Sequence, residues 1–309
     1  MSAPTRADHG LTVLDAGATA LLRTLDGLFE RWGTGTGALS MTMPPLLPVA
    51  DLARLDFYDN FPHQALVVAP LDLAGRRADP RPLAFTGEEL EPAELALPSA
   101  ACFAVYLHHA GMALDADTTV TVLGRCFRRE ERYQGLRRLL GFHMREVVAL
   151  GSRAFTERHL TAFDARITAF CTALGLPFRK EAATDPFYDR QGQRALLQRL
   201  SPVKHEYVVD DLAIASVNVH RNFFGERCDI SLAGEPVYTS CAAFGLERWL
   251  SVLRNHFGDW EAAIDAVHTA AEEICTAGDA VDAACQAVRA ADEAVRMAAH
   301  AVRDAGGAA

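Results

Sequence analysis

Residues 126–148 read CFRREERYQGLRRLLGFHMREVV. Two apolar-edged runs flank a polar, arginine-rich middle, which predicts two strands joined as a hairpin. Side chains two apart on an extended strand share a face, so Arg128 and Glu130 point together, as do Phe142, Met144 and Glu146 on the return. One surface is thereby offered a guanidinium, an aromatic ring and two carboxylates. The planar fork of arginine suits a phosphate, a glutamate can accept from an exocyclic amine, and a flat ring can stack on a nucleobase. The same residues equally fit a salt-bridged surface hairpin.

Working outward, Leu14, Leu21, Leu22, Leu25, Leu28 and Phe29 recur at helical spacing and predict a first helix over Leu11–Trp32, broken by Gly33, Gly35 and Gly37. Between Pro62 and Arg128, runs such as ALVVAPL and TVTVLGRCF, punctuated by Pro, Gly and Asp, are strand and turn signals. A second amphipathic helix is predicted over Glu157–Leu174, stopped by Gly175 and Pro177. Two further strand-like runs, KHEYVVDDLAIASVNVH and EPVYTSCAAF, precede a helix that starts near Gly245. Strands in succession with helices at irregular intervals predict an antiparallel α+β sheet rather than a doubly wound parallel one. In the tail, Val267, Ile274, Val281, Val288, Val295 and Val302 lie seven residues apart, each followed three residues later by an alanine. This heptad seam fits a helical hairpin packed on its own domain, divided at Gly278–Asp279, or a docking helix for a partner.

Composition narrows the function classes. The 309 residues are half apolar, with a formal net charge of -10, which argues against a surface built to grip a nucleic-acid backbone. No stretch of eighteen apolar residues occurs, and MSAPTRADHG lacks the pattern of a secretory signal, so a soluble, cytoplasmic protein with no membrane partner is expected. Seven scattered cysteines do not form a disulfide framework in such a setting. There is no GxxxxGK[ST] phosphate loop and no GxGxxG after a strand. The histidines form no HExxH pattern, and His143 and His205 alternate out of phase with the proposed active face, as core or second-sheet residues.

The hairpin resembles motif 2 of class II aminoacyl-tRNA synthetases, with Phe127, Arg128, Arg129 and Glu130 in the place of Phe-Arg-x-Glu. AAFGLERWL is similar to motif 3 and maps its arginine onto Arg248, and MPPLLPVADL stands in the place of motif 1. LGLPFRKEAATDPF and KHEYVV look like stretches of seryl enzymes, the second placing an ATP- and metal-contacting glutamate at Glu206. Within the class, LPSAACFAVY, CFRRE, FHMREVV, ATDPF, VNVHRNFFG and TSCAAFGLERW resemble the amino acid:carrier protein ligases, truncated relatives of the atypical zinc-dependent seryl-tRNA synthetases.

That resemblance implies a class II synthetase-like antiparallel sheet flanked by helices, in a catalytic domain over 41–262; the apolar spacing adds an N-terminal helix over 1–40 and an Ala-rich helical extension over 263–309, the latter a departure from the family. It implies ATP bound by Arg128, Glu130, Phe142, Glu206 and Arg248, with Arg128 and Arg248 catalytic. Mg²⁺ is expected at Glu206, with Ser216 and Asn218 as further metal or substrate contacts. Zinc is implied at Cys102, Glu146 and Cys241. Two thiolates and a carboxylate leave a fourth tetrahedral position open, where a substrate α-amine could bind, although a buried cysteine is commonly just a small apolar residue. The implied reaction is ATP-dependent activation of a small amino acid, such as glycine, alanine or serine, as an aminoacyl-adenylate. Transfer to the phosphopantetheine thiol of a holo carrier protein follows, in a homodimer. About forty residues precede the motif 1 region, so no tRNA partner is expected. Arg125, Arg129, Arg132, Arg137 and Arg138 offer a basic surface for an acidic carrier, or a solvated loop. Two alternatives stand beside this reading, an adenylate-forming transferase to a small molecule and a non-catalytic synthetase-like regulatory or binding paralogue. Retention of Arg128, Glu130, Glu206 and Arg248 together argues against the latter.

Overall fold

The computed structural model describes residues 9–74, 84–189, 191, 192, 196, 198 and 203–274. Among them, seven strands form one sheet: β1 (Leu39–Met41), β2 (Thr118–Phe127), β3 (Gly141–Gly151), β4 (Phe178–Ala183), β5 (Lys204–Val209), β6 (Leu212–Arg221) and β7 (Tyr238–Gly245). Their spatial order is β1-β2-β3-β7-β6-β5-β4. The expected antiparallel pairing holds across six strands, from Val122 opposite Glu146 to Lys180 opposite Tyr207. The edge strand β1 departs from it by running parallel to β2, with Leu39 opposite Val120.

One face of the sheet is covered by α1 (Ala16–Thr34), α3 (Arg153–Ala173), α5 (Leu246–Phe257) and the helical residues 260–274; the other carries the short helices α2 (Cys102–His108) and α4 (Phe223–Cys228). Alternation along β3 divides the two cores: Val147 joins the first and Val148 the second. The first core is rich in aromatic contacts, with Phe29 of α1 stacked on Phe244 of β7 at 4.1 Å and tilted against Trp249 of α5 at 5.5 Å. Arg145 of β3 donates to both carboxylate oxygens of Asp26 on α1, at 2.7 and 2.9 Å, and is itself buried. Removing one partner of such a buried pair costs about 3–5 kcal/mol.

Several boundaries differ from the sequence reading. Helix α1 begins at Ala16 instead of Leu11, because Asp15 is the N-cap and accepts from the Ala18 N–H at 2.8 Å. Gly33 does not end it. The helix runs to Thr34, and a Cβ at Gly33 would lie 3.0 Å from Thr121 and 3.2 Å from Val147, so this glycine lets the helix approach the sheet. Helix α3 starts at Arg153, earlier than Glu157, capped by the Ser152 hydroxyl, and stops before Gly175 at φ +66°. The run KHEYVVDDLAIASVNVH is a tight hairpin and not one strand: Val209 faces Leu212 across Asp210, which adopts φ +55°.

In the tail, Val267 and Ala270 are buried in the first core, so the opening heptad packs on its own domain. The later repeats and Gly278–Asp279 lie outside the described residues. No described helix is long and apolar enough to cross a membrane.

Candidate active site

Strand register assembles the site. Lys204, Asn218 and Cys241 form one row across β5, β6 and β7, and Glu206, Ser216, Ala243 and Glu146 form the next, continued onto β3. Directly opposed residues in antiparallel strands project to the same side, so these chemical groups share a face. Phe142 and Met144 continue that face along β3. His143 and His205 fall on the other side, as the alternation requires. His143 is half-buried instead of belonging to the core: its Nδ1 lies 2.7 Å from Glu247 Oε1, and its backbone N–H donates to Glu247 Oε2 at 2.8 Å.

Two adjoining pockets open on the active face. The narrower, about 80 Å³, is lined by Arg128, Glu130, Arg138, Phe142, Glu206 and Arg248 among others. The larger, about 450 Å³, reaches Cys102, Glu146, Asn218 and Cys241 and is walled by phenylalanines, including Phe57, Phe103 and Phe224. The two share Arg128, Met144, Lys204, Ser216 and Ala243.

In the narrow pocket, the predicted strand alternation reaches too far: β2 ends at Phe127, and Arg128 and Glu130 lie just beyond it. Both nevertheless line the pocket. Arg128 Nε donates to the Ser99 carbonyl at 3.0 Å, and its guanidinium carbon sits 5.2 Å from the Phe142 ring centroid. Arg138 is paired with Glu130 at 2.7 Å. Arg248 donates to the carbonyls of Arg137 and Ala213 at 3.2 and 3.0 Å. Burial, reinforced by the nearby Arg128 charge, lowers its pKa to about 10, so it stays cationic at neutral pH. Of the arginines read as a basic surface, Arg137 is engaged by Asp211 and Arg138 by Glu130, while Arg125 contacts His143.

The larger pocket holds the other cluster. Ligand atoms of Cys102, Glu146 and Cys241 lie within 4.8 Å of one another, and all three residues are buried. Glu146 Oε1 accepts from the backbone N–H groups of Ala101 and Cys102 at 2.8 and 3.2 Å, which fixes its orientation. Asn218 donates to Cys241 Sγ at 3.3 Å and to Ser216 Oγ at 3.1 Å. Its hydrogen bond to Cys241, burial and the neighbouring Glu146 together push the Cys102 thiol well above the ordinary range. For Cys241 the Cys102 hydrogen bond acts downwards, but burial and Glu146 leave it raised. The donor set, two sulfurs and one oxygen from α2, β3 and β7 facing a cavity, fits a zinc ion with one open position. Cys126 is buried on the same face opposite Phe142 and takes no part in the cluster.

Sequence reading did not anticipate Lys204 and Asp185. Lys204 Nζ lies 3.1 Å from Asp185 Oδ1 and 3.0 Å from Glu206 Oε1. Burial works against its charge, but Asp185 and Glu206 more than offset this and hold its pKa above the usual lysine value. Asp185 is bound in turn by Gln198, whose Nε2 donates to Oδ2 at 3.0 Å. The alternation of Lys204 with Glu206 was a usable signal; the approach of Asp185 from a loop was not.

No family model matches the chain. Amino acid–[acyl-carrier-protein] ligase 2 of Bradyrhizobium diazoefficiens is 36% identical over 227 residues, 67% of this chain and 66% of the ligase. Ligase 1 of the same organism is 32% identical over 233 residues, 69% of each chain. The chain thus spans about two thirds of the length of these relatives. The solved seryl-tRNA synthetase of M. kandleri, in complex with A. aeolicus tRNASec, superposes with a TM-score of 0.70 at 19% identity, covering 84% of this chain and 56% of that one. The shared fold is that of class II aminoacyl-tRNA synthetases.

Proposed function

Since the chain belongs to the amino acid–[acyl-carrier-protein] ligase family, we propose that it activates a small amino acid with ATP and passes it to the phosphopantetheine thiol of a holo carrier protein. The observation that carries this reading is the junction of the two pockets: a cationic, aromatic-edged cleft opens directly onto a cavity that contains a buried Cys-Glu-Cys cluster.

In the narrow cleft, Phe142 and Glu130 hold adenine by stacking and by accepting from its exocyclic amine. Such a pose requires Arg128 to turn from the Phe142 ring towards the α-phosphate and Glu130 to loosen its hold on Arg138. Arg128 and Arg248 then neutralise the triphosphate. Glu206 is the carboxylate placed to hold Mg²⁺, which when bound offsets phosphate charge. On the other side, Cys102, Glu146 and Cys241 would hold zinc, which when bound supplies an open coordination position for the substrate α-amine. Ser216, which lines both pockets, and Asn218, beside Cys241 in the larger one, bear on the amino acid.

The carboxylate oxygen of the amino acid attacks the α-phosphorus and forms a new P–O bond. The bond from the α-phosphorus to the bridging oxygen breaks, and pyrophosphate leaves with its electron pair. Proximity and preorganised cations supply the acceleration, so no covalent enzyme nucleophile is needed. In the second step the carrier thiol attacks the acyl carbon, AMP departs, and the thiol proton passes to water. A glycine, alanine or serine fills little of a 450 Å³ cavity, which leaves room for a phosphopantetheine arm to reach the acyl group.

Amino acid-dependent exchange of labelled pyrophosphate into ATP tests the first step. Exchange is expected with one of glycine, alanine or serine. Absence of exchange with all twenty amino acids would overturn the reading.

A further inference from the structure

Activation must occur where the two pockets meet, because the attacking carboxylate comes from one and the α-phosphate from the other. Five residues line both, and only two of them, Arg128 and Lys204, carry a positive charge. Arg128 has a role in the proposed chemistry, whereas Lys204 has none. We infer that Lys204 is a second catalytic cation at this junction, its ammonium contacting the amino acid carboxylate and the α-phosphoryl oxygen as the new P–O bond forms. The inference rests on the adenylate-forming reading above.

Three features of its surroundings support this assignment. An ammonium has three donors. Asp185 Oδ1 and Glu206 Oε1 account for two, and the third has no partner among the described residues. Lys204 is held rather than free: its side chain is only 17% exposed, and Asp185, itself clamped by Gln198, anchors it from the loop side. It also stands in the same row as Cys241, with Asn218 between them, so it lies two strand spacings, about 10 Å, from the cluster that would seat the α-amine.

The geometry also explains why the pair with Glu206 is useful. Were Glu206 to hold a nucleotide-bound cation, its attraction for the ammonium would weaken, while Asp185 would still retain Lys204 in place. Preorganised charge of this kind acts on the transition state more than on ground-state binding.

Lys204→Gln removes the charge but can still donate to Asp185, and Lys204→Arg keeps the charge. In pyrophosphate exchange, Lys204→Gln is expected to lose at least about 100-fold in kcat with KM for ATP changed less than about threefold, and Lys204→Arg to regain at least about tenfold of that loss. A folded Lys204→Gln enzyme with kcat within about threefold of the parent would overturn the assignment, as would a loss confined to KM. If Lys204→Gln does not fold, the double variant Asp185→Asn/Lys204→Gln, which removes both charges of the pair together, is compared with Asp185→Asn alone. A further 100-fold loss supports the assignment, and equal turnover overturns it. Failure of the parent enzyme to exchange with any amino acid would instead overturn the underlying reading, and this inference with it.

Discussion

Arg248 illustrates how much a single residue can be asked to do. It is half-buried, cationic and fastened to two backbone carbonyls, so its position in the cleft is set before any nucleotide arrives. Arg248→Ala is expected to reduce pyrophosphate exchange by about 100- to 1,000-fold. Its fold should persist, with a loss of about 1–3 kcal/mol from the freed carbonyls, read by urea unfolding. Exchange within a few fold of the parent would remove it from the mechanism. Cys241→Ala addresses the cluster in the same way. The parent is expected to carry about one zinc per chain by elemental analysis and the variant almost none, since two remaining ligands hold the metal poorly. A fully active, zinc-free parent would contradict the assignment. Arg128 was legible in the sequence as part of the hairpin's charge pattern, whereas Glu206 and Arg248 were reached through the resemblance of their short runs to those of known enzymes. Cys102, Glu146 and Cys241 were legible only through resemblance: spacing carries no signal when three ligands come from three distant elements. Asp185 and Lys204 were missed for a related reason, since their pairing exists only once a loop folds over the sheet.

At the level of elements, the strands and helices followed from periodicity, and the errors fell where tertiary contact overrides it. Gly33 has the sequence signature of a helix stop, but its lack of a side chain serves the contact of α1 with Thr121 and Val147. The single run from Lys204 to His220 hid a hairpin because Asp210–Asp211 is a minimal turn without glycine. Another contact links α3 to β7: His159 is buried, with Nδ1 3.0 Å from Ser240 Oγ. Burial, aided by the nearby Arg166 charge, lowers its pKa to about 4. The unfolded chain therefore takes up a proton near pH 6.5 while the folded protein resists until about pH 4. Stability from this group is full above pH 6.5 and falls as the pH drops towards 4. His159→Gln should accordingly lose about 2 kcal/mol less than the parent between pH 7 and pH 5 in urea unfolding. An identical pH dependence in the two proteins would show that His159 does not titrate in this way.

For the whole molecule, the sheet separates support from chemistry. One face is a deep aromatic core shared by α1, α3, α5 and the start of the tail, and the other is left to two short helices and the pockets. This division was visible in the alternation of β3, where Arg145 and Val147 alternate with Met144, Glu146 and Val148. With no GxxxxGK[ST] loop and no GxGxxG after a strand, a bound nucleotide needs another cradle, one built from side chains. The most direct test of the central claim is the intact mass of a holo carrier protein after incubation with the enzyme, ATP and the amino acid that supports exchange. A mass increase equal to one aminoacyl group, removable by hydroxylamine and absent from the apo carrier, is the result this account requires. Adenylate formation with no acyl group on any holo carrier tested, and delivery instead to a small-molecule acceptor, would contradict it.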